Sequence, residues 1–185
     1  MAPGSSKGSW RESYEKETPA KTRRKISLKV RQTLLSGEGL STDCLIDCLS
    51  FLPHFKGVIP QDYLDKVSVE SNMSFIVNVD FSTQPGSHWI SIYLDSKNCF
   101  ILDSLGLKLA KLKQGSKPLF RFISRISHRF NLYFTPPLQN FISPFCGLYC
   151  ILFLISFQFT SFFKICALFT SNFRLNDSTV LYLLQ

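Results

Sequence analysis

The sequence predicts a mixed fold of helices and β-strands, and three observations carry that expectation. Ser41-Thr42-Asp43 precedes the apolar series Cys44, Leu45, Ile46, Cys48, Leu49, Phe51 and Leu52, and Pro53 stops it, the pattern of an N-capped amphipathic helix. Two β-rich runs, 88–94 and 99–103, flank the turn-like Asp95-Ser96-Lys97-Asn98 and predict a hairpin. A stretch without any charge runs from Asn131 to Phe163, and within it the 19-residue window 145–163 reads as a buried helix in a Phe-rich domain.

In chain order, residues 1–40 hold nine Lys/Arg against four Glu, with few large apolar side chains, and read as a flexible basic arm. Thr22-Arg23-Arg24-Lys25 within it is a solvated cluster by default and a nucleic-acid or nuclear-address element otherwise. The folded domain is expected over 41–185. Phe75 to Phe81 is a further β-rich run, closed by the polar stretch 82–87. Between Lys108 and Arg129 lie seven cations and no acid. Lys117, Arg121, Arg125 and Arg129 recur every four residues while Leu119, Phe122, Ile123 and Ile126 fill another face, which predicts one long helix with a basic stripe.

Composition narrows the class. With 185 residues, 45% of them hydrophobic, and 18 Phe, one domain with a sizeable core is expected, and a collagenous, repeat-built or wholly disordered chain is excluded. The net charge of +8 favours polyanionic partners without naming one. Ser5 to Lys29 is polar where a secretory signal would be apolar, so the expected compartment is intracellular and reducing, and the six cysteines read as free thiols.

The chemistry starts from the hairpin. A turn centred on Ser96-Lys97 pairs residues whose numbers sum to 193, which sets Ile90 opposite Asp103. His88 shares a face with Ile90, so Asp103 becomes its diagonal neighbour, at roughly 7 Å between backbones. A carboxylate there fixes the imidazole tautomer and leaves the second ring nitrogen to act on a nucleophile. Downstream, Ser143 reads as an N-cap and Pro144 as the first helical residue, which places Cys146 in the first turn. A thiol at a helix N-terminus beside an imidazolium is brought from about 8.5 toward roughly 3.5–7.5. The Cys146 N–H and the Gln139 side-chain amide would then be two donors for an oxyanion.

The order His88-Trp89, Asp103-Ser104-Leu105-Gly106, Gln139, Cys146-Gly147-Leu148-Tyr149-Cys150 resembles the adenovirus-type cysteine proteases and the wider clan they share with the SUMO/ubiquitin-like-protein proteases. It looks most like the proteases of Polinton (Maverick) elements and large DNA viruses. Phe55 to Pro60 and Asn176-Asp177 add to the likeness, which spans roughly 41–185. It implies an α+β fold, with a central nucleophile-bearing helix packed on a mixed or antiparallel sheet that carries His and Asp. It implies His88 as base, Asp103 as its orienting acid, Cys146 as nucleophile, Gln139 as oxyanion donor and Trp89 as the substrate-binding floor of the cleft. Adenovirus proteases carry Glu in the acid slot, and SUMO proteases set Gln one residue nearer to Cys. The combination here therefore leans to the Polinton-like group.

The implied activity is endopeptidase cleavage of viral or transposon capsid and core polyproteins after Gly-containing sites, in the nucleus or a virion. No cofactor is needed for the chemistry, and DNA or a peptide is the open choice of activator. The basic stripe Lys117, Arg121, Arg125 and Arg129, with the N-terminal arm, is the candidate nucleic-acid surface, against the plainer reading of a solvated helix face. The alternatives are a deconjugating protease for a SUMO- or ubiquitin-like modifier, an inactive nucleic-acid-binding remnant, and a membrane-anchored chain spanning at 145–163. No metal is expected. Cys44/Cys48 and Cys146/Cys150 have paired spacing, but they sit in apolar helical patterns and are 98 residues apart.

Overall fold

The anticipated hairpin lies in the middle of a five-stranded sheet in a computed structural model that describes residues 4–106 and 117–185. The strands β1 (Phe55–Pro60), β2 (Met73–Asn78), β3 (Trp89–Leu94), β4 (Asn98–Leu102) and β5 (Asn131–Phe134) follow one another across it. The inner ladders β2/β3 and β3/β4 are antiparallel, whereas the edge pairs β1/β2 and β4/β5 are parallel. Each β3/β4 pair, from Ser91 with Leu102 to Leu94 with Cys99, has the register the turn arithmetic requires. The two parallel edge strands were not anticipated, because a parallel partner is always reached through a long crossover.

The helices are α1 (Gly4–Glu17), α2 (Ala20–Ser36), α3 (Thr42–Leu49), α4 (Lys117–Ile126), α5 (Cys146–Ser156), α6 (Phe162–Cys166) and α7 (Phe173–Leu184). On one face of the sheet, Phe75, Val77, Ile90, Ile92 and Ile101 pack with Leu119 and Phe122 of α4 and with Leu64 of a 3₁₀ turn, Gln61–Lys66. The other face is covered by α5, around which α1, α2, α3, α6 and α7 gather. All eleven residues of α5 are buried, as an all-apolar helix surface demands. The mixed α+β architecture with a central helix on a sheet is therefore present.

Three expectations change. Residues 4–36 are two packed helices rather than a flexible arm. Trp10, Tyr14, Ile26 and Val30 are buried, and the Trp10 indole donates to Ser156 Oγ at 2.7 Å. Four large apolar side chains among many cations have little amphipathic signal, and only their docking partners on α5 and α7 make burial pay off. The window 145–163 is not one helix. α5 ends at Ser156 and α6 starts at Phe162, and among the described residues no helix is long and apolar enough to cross a membrane. The basic helix starts at Lys117, and the expectation for 108–116 lies outside the described residues.

The α3 signal holds at its start, while the helix ends at Leu49, before Phe51, Leu52 and the expected stop at Pro53. Ser41 is the N-cap, and its hydroxyl accepts from the Cys44 N–H at 3.3 Å. Gly37, with φ of 68°, closes α2 in the left-handed region that a side chain would resist. The segment it starts runs along the sheet end, where the Leu40 carbonyl accepts from the Trp89 indole at 2.9 Å.

Candidate active site

β3 and β4 are antiparallel, so the start of one and the finish of the other meet at the same end of the sheet. His88 stands one residue before β3 and Asp103 one residue after β4. Their side chains meet, with His88 Nε2 and Asp103 Oδ1 2.6 Å apart. Asp103 is held on several sides. Its Oδ1 also accepts from the Leu105 N–H at 2.9 Å, its own N–H donates to Thr135 Oγ1, and the Thr135 hydroxyl donates to the Asp103 carbonyl. Nearly buried at 6% exposure, the carboxylate has one place to be.

An Nε2 committed to Asp103 leaves Nδ1 as the working nitrogen of the ring. The third member comes from the helix. Cys146 is the first residue of α5, 7% exposed, and its thiol is near enough to His88 to act on the imidazole. Burial alone would lower the His88 pKa. The hydrogen bonds and negative charges of Asp103 and Cys146 outweigh it and raise the imidazole from 6.5 to about 9. An imidazole kept protonated beside a helix-terminal thiol is the arrangement from which a thiolate–imidazolium pair can form.

Gln139 arrives on the loop before α5. Its Oε1 accepts from the Ser104 hydroxyl at 2.6 Å, and its Nε2 donates to the Ser143 carbonyl at 2.5 Å. One Nε2 hydrogen remains. The Cys146 N–H, at the first position of a helix, has no intrahelical acceptor. Trp89, next to His88, lines a cleft of about 480 Å³ with Gly39, Leu40, Thr42, Asn78 and Gly86. Gly147 lets Leu40 approach, since a Cβ there would sit 3.1 Å from the Leu40 side chain.

Against this geometry the comparisons decide the family. The model of the adenovirus endoprotease family matches residues 51–173, most of the chain, a span within which His88, Asp103, Gln139 and Cys146 fall. The chain belongs to the adenovirus endoprotease family. It is accordingly a cysteine peptidase. A solved structure of the SUMO protease Ulp1, with its catalytic cysteine oxidised to a sulfenic acid, is similar at 13% identity over 91% of this chain and 95% of that one, with a TM-score of 0.41. At that score the likeness adds no weight. No curated protein matches the chain.

Other singled-out residues of this adenovirus endoprotease family member lie elsewhere. Ser143 does not cap α5, which starts only at Cys146 after Phe145. Its hydroxyl instead donates to the Asn140 carbonyl, and its own carbonyl holds Gln139. The expected stripe is split, since α4 ends at Ile126 and Arg129 follows it, and its three arginines brace the fold. Arg121 pairs with Asp65 at 2.6 Å, Arg125 donates to the carbonyls of Leu64, Asp65 and Val67, and Arg129 to that of Val69. All six cysteines are free, and among the described residues no three metal-ligating side chains gather. Burial drives the Cys48 and Cys99 thiols up to about 12 and Cys150 well above its usual value.

The supporting shell was missed. Asn176 and Asp177, noted only for their likeness, are buried under the Gln139 loop. The Asn176 amide donates to the Leu138 carbonyl, and Asp177 accepts from the Tyr149 hydroxyl at 3.0 Å and from the Asn140 N–H. Burial raises the Asp177 pKa despite those donors. Single buried polar residues have no periodicity, so no sequence pattern signals them.

Proposed function

We propose that Cys146 is the nucleophile of an endopeptidase, with His88 as acid and base, Asp103 as the residue that orients His88, and Gln139 with the Cys146 N–H as oxyanion donors. The Cys146 thiolate attacks the scissile carbonyl, a C–S bond forms, and the electron pair of the C=O moves to oxygen between the two donors. The imidazolium then gives its Nδ1 proton to the departing nitrogen as the C–N bond breaks. Water, deprotonated by the now neutral ring, attacks the thioester, and the acid product leaves with Cys146 and His88 restored.

What supports this reading above all is one imidazole bonded to Asp103 at 2.6 Å, with Asp103 and Cys146 together raising its pKa to about 9. The cleft that Trp89 lines lies next to His88 in the chain and is the place this reading gives to the polypeptide substrate. Capsid or core polyproteins of a viral or transposon DNA element, cut after Gly-containing sites, are the substrates the family favours. DNA or a peptide is the class of activator, and the exposed Lys21, Arg24 and Arg31 of α2 and Lys117 of α4 offer cations to a nucleic acid. Cys146→Ala is the test: loss of cleavage of a Gly-x-Gly peptide with an unchanged melting temperature supports the assignment, and retained cleavage removes it.

A further inference from the structure

Ser104 follows Asp103 directly, is fully buried, and gives all three of its hydrogen bonds to the residues that carry the oxyanion donor. Its carbonyl accepts from the Leu138 N–H at 2.7 Å and from the Gln139 N–H at 2.8 Å, and its hydroxyl donates to Gln139 Oε1 at 2.6 Å. The amide of Gln139 is thus held at both ends. The Ser143 carbonyl can only accept, so Nε2 must face it, and Oε1 must then face the Ser104 hydroxyl, which donates.

That orientation matters because a primary amide is nearly symmetric in shape and opposite in polarity at its two ends. Rotated by half a turn, Gln139 would present Oε1, a partial negative charge, to a developing oxyanion, which turns a stabilising contact into a repulsive one. In the rotated state Oε1 would face the Ser143 carbonyl, acceptor against acceptor, and the buried Ser104 hydroxyl could accept from Nε2 but would lose the acceptor of its own proton. Two consecutive residues at the end of β4 therefore set two different parts of the site, Asp103 the imidazole and Ser104 the amide.

We infer that Ser104 is a positioning residue for peptide-bond cleavage, whose hydroxyl fixes Gln139 with Nε2 toward the oxyanion. The inference rests on the proposed roles of Cys146 and Gln139. The Ser104→Ala variant removes one buried oxygen and leaves both backbone bonds in place, which preserves the strand end.

The test compares two reactions of Cys146. Alkylation by iodoacetamide displaces iodide and forms no oxyanion, whereas acylation by p-nitrophenyl acetate passes through one. Ser104→Ala should slow acylation about tenfold, the size of one lost hydrogen bond, and leave alkylation unchanged. Gln139→Ala should slow acylation further, and Ser104→Ala added to it should do nothing more, because a positioning residue has no effect without the group it positions. Ser104→Cys, with a weaker donor of similar size, should fall between the parent and Ser104→Ala. Equal losses in both reactions, an unchanged acylation rate, or full additivity with Gln139→Ala would each overturn the role of Ser104. Parent protein that alkylates at Cys146 but does not acylate would instead remove the oxyanion role of Gln139, and the role of Ser104 with it.

Discussion

The end of the sheet at His88 and Asp103 and the basic helix α4 both drew attention as sequence, yet the fold treats them in opposite ways. At the sheet end, polar groups from the ends of β3 and β4 and from the 138–143 loop converge beside the start of α5 and are nearly buried. Along α4 and the turn after it the cations stay at the surface, and Arg121, Arg125 and Arg129 spend donors on the segment 64–69. A regular stripe on one helix is compatible with solvent, with bracing or with a partner, whereas a few unlike residues brought from separate elements to one point have far fewer explanations. Convergence is the better sign of chemistry than periodicity.

Substitutions at the sheet end and on α4 should separate cleanly, starting with the largest effect. Cys146→Ala should take turnover to background, a fall of about 10⁴-fold or more, with the fold intact by near-UV circular dichroism. Asp103→Asn keeps the shape but not the charge that holds the imidazole, and should cost about 10²- to 10⁴-fold in kcat. Gln139→Ala should cost about 10²- to 10³-fold, mostly in kcat and little in KM. The pH profile sharpens the same contrast. Because the folded value of His88 is about 9 against 6.5 for the free group, kcat/KM should fall on the alkaline side near pH 9. The sign for stability agrees: the imidazolium contributes fully below pH 6.5, and its contribution is lost as pH rises through about 9. A His88→Ala variant should show no such loss. The smallest effect belongs to α4, where Arg125→Ala should leave kcat unchanged and reduce unfolding free energy by about 1 kcal/mol in urea titration. A catalytic defect there would break the comparison.

Much of the site was legible because it is built from local rules. Hairpin arithmetic places His88 beside Asp103 from the turn position alone, and the Ser41 cap marks the first turn of α3. The remainder depends on partners distant in sequence. β1 and β5 are strands because β2 and β4 offer them parallel edges. Trp10 and Ile26 are buried because α5 and α7 receive α1 and α2, which turned an expected flexible arm into a docked helix pair. Ser143 has the residue type of a cap but serves Gln139 instead, and Ser104 and Asp177 act through single buried bonds that no pattern announces.

The central claim is a nucleophile at Cys146 made reactive by His88, and cysteine alkylation across pH tests it without any substrate. Iodoacetamide rates at each of the six cysteines, mapped by peptide mass spectrometry, should be compared in the parent and in His88→Ala. Cys44 is the internal control. It is half-exposed, and although burial raises its thiol pKa, bonds to Ser41 and Lys29 lower it further, so it should react in both proteins alike. Cys146 should react fast below about pH 7 in the parent and slow sharply without His88. Cys146 reactivity that is the same with and without His88 would contradict the account.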